Sequence, residues 1–440
     1  MADQSIIRIT KELGDLQKNA DLSLAVACRD ADVRNIRAVI IGPHETPYEF
    51  GFFEFTFRFG KEYPRKAPSV TAITTNGGRC RFNPNIYAGG RVCLTWRGEP
   101  GEEWSAAQGL ESILLSIQSL MSSNPYENEP GFEDARETQD KKNQKDYVQK
   151  IQHESLRISV IQRLEGYLGI GADGNVTPPV AAQDEYDPDF DGADEGMTTF
   201  EPFKDLFKRR FLWYYESYLA AIHKASKDVK EGQAFARMPF EGGGNQMDGK
   251  FHYGELEKRL RNIKRVLDEE PLIWAAQGKE VEQQEETVAV NLKRQLAQVS
   301  ENYKQHGIPH NVEAEDGNPF VWIFTYFGRP MTNMDGGLFR IRIHLSPKFP
   351  EEQPRIRFET KLFHQRIAPD GTPCCWPPPS KRENMQAHLD AIIEMLEEEH
   401  PPYDPRTLVH PEAFKLFWGN EKEKKQYRQR LRRSVQASVE

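Results

Sequence analysis

The sequence predicts an α+β protein built from two copies of one domain, each an antiparallel meander sheet flanked by helices, joined by an acidic linker and a helical segment. Three observations lead there. A cysteine, Cys93, stands ten residues after Asn83 of the turn Asn83-Pro84-Asn85, and the same interval separates His364 from Cys374. Gly51 precedes Tyr63-Pro64 by twelve residues, as Gly337 precedes Phe349-Pro350. Around both frames the order helix, strands, cysteine loop, helix recurs, and self-similarity on this scale marks a duplicated unit.

The first copy opens with Ile6, Ile9, Leu13 and Leu16 at helical spacing, an amphipathic helix reaching Lys18. β-Branched and aromatic runs at 33–41, 50–59 and 70–74, broken by turns such as Gly42-Pro43, predict a meander. Residues 110–121 return to helical spacing, with Ser105 as the expected N-cap. A helical tail over about 136–168 completes a first domain of residues 1–170. Residues 171–200 hold eight acidic residues and no Lys or Arg, which predicts a flexible acidic linker.

Residues 201–284 form the helical segment. Its first helix, 203–225, carries Phe207, Phe211, Tyr214, Tyr215 and Tyr218, expected as core that packs the segment onto the first domain rather than as a ligand groove. The loop Glu241-Gly242-Gly243-Gly244-Asn245 lacks the Lys-Ser/Thr of a phosphate cradle and reads as a spacer, and 253–267 is again amphipathic. Residues 285–440 repeat the first order: a helix through Leu292, Leu296 and Val299, strands at 321–327, 339–345 and 355–358, a cysteine loop, and a helix at 385–398.

Composition narrows the function. Hydrophobic content of 38 % beside 28 % charged residues describes a globular chain, and no run approaches the roughly 20 apolar residues of a membrane span. Five cysteines without a paired Cys-x-x-Cys array fit a reducing compartment and disfavour a disulfide framework or structural zinc. Met1-Ala2-Asp3-Gln4 carries no basic-then-apolar signal, so the expected location is cytoplasmic, with the nucleus also open. A net charge of -9 disfavours a general nucleic-acid binder; the basic run Lys422 to Arg433 reads as a solvated helix face.

Chemistry concentrates at Cys93. Sulfur can hold an acyl group, and a fixed amide donor such as Asn85 can stabilise the oxyanion formed when an amine attacks it. A cysteine protease is the competing chemistry; His44 and His153 are available as bases, but no protease motif surrounds Cys93. Cys28 and Cys80 lack any surrounding signature and read as inert.

Gly42-Pro43, Thr46-Pro47-Tyr48, Tyr63-Pro64 with Pro68, Asn83-Pro84-Asn85, Cys93-Leu94, Trp104-Ser105 and Asn124-Pro125, in this order and spacing, resemble the ubiquitin-conjugating enzyme family. Asn83 in place of the usual His, with Asn128-Glu129-Pro130-Gly131-Phe132-Glu133, is similar to the Z-type (Asn-Pro-Asn) subgroup over residues 1–270, and more distantly to very large conjugating enzyme/ligase hybrids. The remainder resembles the general conjugating fold, including closing helices at 410–417.

The resemblance implies that Cys93 takes ubiquitin or a related modifier from an activating enzyme by thioester exchange and passes it to a lysine of a protein substrate. No cofactor is implied; ATP serves the activating enzyme. Asn85 donates to the oxyanion or supports the loop, while Glu127 or Glu129 acts as base or positioning group. Arg8 and Lys11 are candidates for contacting the activating enzyme. Arg65 and Ala106 replace the aromatic and Pro of the ordinary ligase groove, which puts conventional ligase partners in doubt and favours direct substrate binding. Neither nucleic acid nor membrane is an expected partner.

In the second copy His364 keeps the motif's first position, Arg366 replaces the oxyanion Asn and Cys374 takes the nucleophile's place, so a noncatalytic scaffold is expected there. A noncatalytic ubiquitin- or peptide-binding adaptor is the alternative for the whole chain.

Overall fold

The computed structural model describes residues 3–19, 21–94, 104–134, 136–177, 200–242 and 247–440. The chain divides into two compact units, residues 1–207 with 221–263, and residues 208–220 with 264–440.

In the first unit helix α1 (Gln4–Lys18) leads into β1 (Leu24–Arg29), β2 (Asp32–Ile41), β3 (Phe52–Arg58) and β4 (Ser69–Ala72), an antiparallel meander in sequence order. The register pairs Ile40 with Phe53 and Phe55 with Ala72. Side chains therefore alternate faces. Ile36, Ala38, Ile40, Phe53, Phe55 and Phe57 meet Ile9 and Leu13 of α1 and Ile113, Leu114 and Ile117 of α2 (Leu110–Leu120) in one core. The opposite face is covered too, since Val39, Ile41 and Phe52 are buried and Phe52 stacks on Phe207 at 4.4 Å. On that face Glu54 receives Arg163 at 2.6 Å and Arg37 at 3.3 Å.

The helical tail is α3 (Thr138–Glu154), a π-helical stretch (Ser155–Gln162) and α4 (Arg163–Leu168). Gly169 ends it in the left-handed conformation. Residues 171–177 close a turn in which the Thr177 amide donates to Gly169 O at 2.8 Å; 178–199, most of the expected linker, lie outside the described residues. Helices α5 (Lys204–Ala225) and α6 (Tyr253–Gln283) follow.

In the second unit α7 (Thr287–Gln305) precedes β5 (Asn311–Ala314), β6 (Val321–Phe327), β7 (Leu338–His344) and β8 (Arg355–Phe358), again a meander in sequence order. Then come α8 (Met385–Glu397), α9 (Pro411–Trp418) and α10 (Glu421–Gln436). Leu292, Val299, Trp322, Phe324, Phe339, Ile341, Ile343, Leu389 and Ile392 form its core. In the basic α10, Tyr427, Leu431 and Val435 are buried and Arg430 pairs with Glu412.

The duplication reaches the backbone. Gly42 N donates to Gly51 O and Gly328 N to Gly337 O, each at 2.8 Å. A Cβ on Gly42 would lie 1.7 Å from Tyr48 O, and one on Gly328 1.6 Å from Met334 O. Both turns therefore require glycine at the same place.

Four expectations need correction. Each sheet has a first strand, β1 or β5, that the apolar pattern did not announce. α2 is capped not by Ser105 but from Gly109: Ser112 Oγ accepts from Gly109 N at 2.8 Å, and the Glu12 carboxylate from Leu110 N at 2.9 Å. The aromatic helix does not serve the first domain alone, because its residues 208–220 belong with the second unit, where Tyr214 Oη donates to Arg406 O at 2.8 Å. Glu241, read as part of a spacer, is buried against Lys150 at 2.5 Å; residues 243–246 of that loop lie outside the described residues.

Candidate active site

The Asn-Pro-Asn turn is built by the side chain of Asn83. Its Oδ1 accepts from Asn85 N at 2.9 Å, an Asx-type closure, and Asn83 O accepts from Ile86 N at 2.9 Å. Asn83 Nδ2 donates to Leu120 O at 2.7 Å and to Tyr48 Oη at 3.0 Å, and Asn128 Nδ2 reaches Asn83 Oδ1 at 3.3 Å. Asn83 is fully buried and thus a brace.

The chain then forms a narrow loop. Tyr87 N donates to Arg91 O at 2.8 Å, Gly90 turns at φ 85°, and Gly90 O receives Ala72 N of β4 at 2.8 Å. Cys93 N donates to Asn85 O at 2.8 Å, and Asn85 Nδ2 reaches back to Cys93 O at 3.4 Å. The two expected residues are therefore adjacent, and Cys93 is partly exposed. Arg91 is aimed at the Tyr87 ring, 5.8 Å from its centroid. Residues 95–103, directly after Leu94, lie outside the described residues. Trp104 Nε1 donates to Pro64 O at 2.7 Å.

The two candidate carboxylates part company. Glu129 is held by Arg81 at 3.0 Å, whereas Glu127 is exposed on the 3-10 turn Pro125–Asn128. On α1, Arg8 pairs with Glu12, which also accepts from Tyr63 Oη at 2.7 Å; Lys11 is exposed, as is Arg65. The protease reading loses both bases. His153 is buried, with Nδ1 on Glu154 at 3.0 Å and Nε2 accepting from His252 N at 3.1 Å, and His44 is hydrogen-bonded to Glu49. Burial pushes the Cys28 and Cys80 thiols upward, which fits inert residues.

The second site copies the backbone and changes the chemistry. Cys374 N donates to Arg366 O at 2.8 Å, Gly371 turns at φ 91°, and His364 Nδ1 accepts from Arg366 N at 3.2 Å. Arg366 also mimics the Asn85 side chain, donating through Nη2 to Cys374 O at 2.7 Å. Cys374, however, is 0 % exposed, and burial pushes its thiol up to about 11. Trp376, two residues further on, lies 5.7 Å from the Trp213 ring and 5.2 Å from the Arg366 guanidinium.

Buried histidines held neutral by their surroundings should make this unit acid-sensitive. Burial first, then Arg366, pulls His364 down to about 3, and burial pulls His388 down to about 4. Unfolded histidine titrates near ~6.5, so below that pH the unfolded chain binds protons that the folded unit refuses. Stability is full above about pH 6.5 and falls as the pH drops toward the folded values. We expect the thermal midpoint of this unit to fall between pH 6.5 and 4, and His364→Asn, which keeps an acceptor for Arg366 N, to flatten the slope. A level calorimetric profile across that window contradicts the assignment.

Sequence reasoning missed Arg81, Lys150 and Phe240, whose partners lie far along the chain. Among the described residues no group of three His, Cys, Asp or Glu could hold a metal ion, and no helix is long and apolar enough to cross a membrane.

Comparison with known proteins agrees with this geometry. The family described as "Ubiquitin-conjugating enzyme" matches residues 8–155 and again 291–435. Ubiquitin-conjugating enzyme E2 Z of Danio rerio is 36 % identical over 273 residues, which is 61 % of this chain and 70 % of that protein. The Homo sapiens E2 Z is 44 % identical over 166 residues, 38 % of this chain and 46 % of its own length, so the match spans about half of the human relative. The human dual E2 ubiquitin-conjugating enzyme/E3 ubiquitin-protein ligase BIRC6 is 40 % identical over 129 residues, 28 % of this chain and 3 % of that protein. Two conjugating-type matches lie over two meander sheets, the first carrying an Asn-Pro-Asn turn locked to a reachable cysteine, and the chain belongs to the ubiquitin-conjugating enzyme family with its similarity concentrated in the Z-type subgroup.

Proposed function

We propose that this chain accepts ubiquitin or a ubiquitin-like modifier as a thioester on Cys93 and transfers it to lysines of protein substrates, with the second unit as a noncatalytic scaffold. One observation carries the reading: Cys93 is reachable while its backbone is pinned to Asn85, whereas Cys374 sits on the same backbone frame fully buried.

The Cys93 thiolate attacks the modifier's thioester carbonyl on the activating enzyme, and that enzyme's thiolate leaves. A substrate lysine amine then attacks the new thioester, forming a tetrahedral oxyanion. Asn85 Nδ2 donates only weakly at rest, at 3.4 Å to Cys93 O, so it can turn to the developing charge. Collapse expels the Cys93 thiolate and leaves an isopeptide bond. The proton shed by the amine passes to Glu127, the candidate carboxylate without the Arg81 pairing, or to water. This chain needs no resident cofactor, ATP being consumed by the activating enzyme. Lys11, beside Arg8 on α1, offers charge to an acidic activating enzyme, and Arg65 disfavours an apolar ligase groove.

An adaptor role suits the second unit alone, because burial of Cys374 opposes loading there. The test is incubation with activating enzyme, ATP and a panel of modifiers including ubiquitin. A reducible adduct lost in Cys93→Ala and kept in Cys374→Ala is the expected result. The reverse pattern, or no adduct with any modifier, refutes it.

A further inference from the structure

Arg81 is a buried charge that the thioester mechanism does not use. It is 4 % exposed, and its guanidinium joins two segments far apart in sequence. One Nη donates to Pro84 O at 2.5 Å, inside the Asn-Pro-Asn turn, and to Glu129 at 3.0 Å. The guanidinium carbon lies 4.4 Å from the ring centroid of Tyr87 and 5.8 Å from that of Phe240, in the segment before α6. Phe240 in turn packs on Tyr126 at 5.4 Å, Phe132 at 5.7 Å and Tyr147 at 5.5 Å.

Both ends of this bridge lead to reacting groups. Pro84 adjoins Asn85, whose carbonyl holds Cys93 N at 2.8 Å. Glu129 follows the turn Pro125–Asn128 that carries Glu127, and its amide donates to Tyr126 O at 3.3 Å. A guanidinium suits the task because the two N–H bonds of one Nη are fixed in the guanidinium plane and hold a carbonyl and a carboxylate at a set angle, whereas a lysine ammonium turns freely on its stem. Charge-assisted bonds in a low-dielectric site are also stiffer than neutral ones.

We infer that Arg81 is a positioning residue for thioester discharge, fixing the separation between the Asn85–Cys93 side of the site and the Glu127 side. The inference rests on the thioester reading above and adds a requirement: loading needs only a reachable sulfur, whereas discharge needs the amide donor and the carboxylate placed together. Misplacement of reacting groups by about 1 Å can cost on the order of 100-fold in rate. A change at Arg81 therefore weighs on the second step.

The experiment uses the full chain, loaded with ubiquitin, quenched and chased with free L-lysine. For Arg81→Met the expected result is discharge slowed by about 10- to 100-fold at saturating lysine, the lysine concentration for half-maximal rate little changed, and loading reduced less than about threefold. Arg81→Lys, which keeps the charge without the planar, fixed pair of N–H donors, should recover part of the rate. Glu129→Gln, which leaves Arg81 its carbonyl contact, should fall in between and serves as the reporter if Arg81→Met does not fold. Wild-type discharge in both Arg81→Met and Glu129→Gln overturns the inference. So does an equal fall in loading and discharge that tracks a lowered melting temperature, because that is what a merely structural residue would give. Failure of the wild-type chain to load overturns the thioester reading instead, and the two failures are thereby distinct.

Discussion

Asn85→Ala is expected to slow transfer of the loaded modifier to lysine by roughly 100- to 1,000-fold, the range found when one oxyanion donor is removed. The geometry allows the loss to be read as chemistry. The turn is shaped by the side chain of Asn83 and by backbone bonds, Cys93 N to Asn85 O at 2.8 Å and Ile86 N to Asn83 O at 2.9 Å, none of which uses the Asn85 side chain. Among the described residues its side chain bonds to Cys93 O through Nδ2, and that bond is long at 3.4 Å. Truncation should thus leave the loop, and with it the loading step, nearly intact. Single-turnover discharge of preloaded protein measures the effect, with a thermal melt run in parallel. Unchanged discharge would remove Asn85 from the mechanism. A melt lowered by more than a few degrees would move its role to support of the loop.

Much of this was legible from the chain alone, for local reasons. The meander strands carry continuous β-branched and aromatic runs because both faces of the first sheet are covered, so 33–41 and 50–59 stand out against their turns. Cys93 and Asn85 could be paired because only the seven residues of a tight loop separate them. The first strands, β1 and β5, were not announced: Leu-Ala-Val-Ala-Cys-Arg lacks clean alternation, and Asn-Val-Glu-Ala is four residues with one buried side chain. The cap of α2 was missed because its acceptor, Glu12, comes from α1. The same limit hid Arg81–Glu129, 48 residues apart, and Lys150–Glu241, 91 apart. Periodicity reports which face of an element is buried. It does not report which distant charge is buried opposite.

Lys150 therefore offers the sharpest test of the packing. It is 0 % exposed and lies in the first unit, where its Nζ donates to Ala236 O at 3.0 Å and to Glu241 at 2.5 Å. Glu241 also accepts from Met238 N at 3.1 Å, so the pair pins the 236–241 segment to α3. Burial pulls the ammonium's pKa down, opposed by the attraction of Glu241. Breaking such a pair strands a buried charge, and Lys150→Ala should cost about 3–5 kcal/mol, whereas Lys150→Met with Glu241→Met together should cost much less. Denaturant titration of both variants reads the difference, and the double-mutant cycle isolates the pair from the separate packing changes. Hydrogen exchange locates it: in Lys150→Ala, peptides from 143–154 and 234–242 should lose protection while β6 and β7 keep theirs. A cost below about 1 kcal/mol would mean that Glu241 finds water when its partner goes, and that the segment is held by Phe240 and its aromatic neighbours rather than by charge.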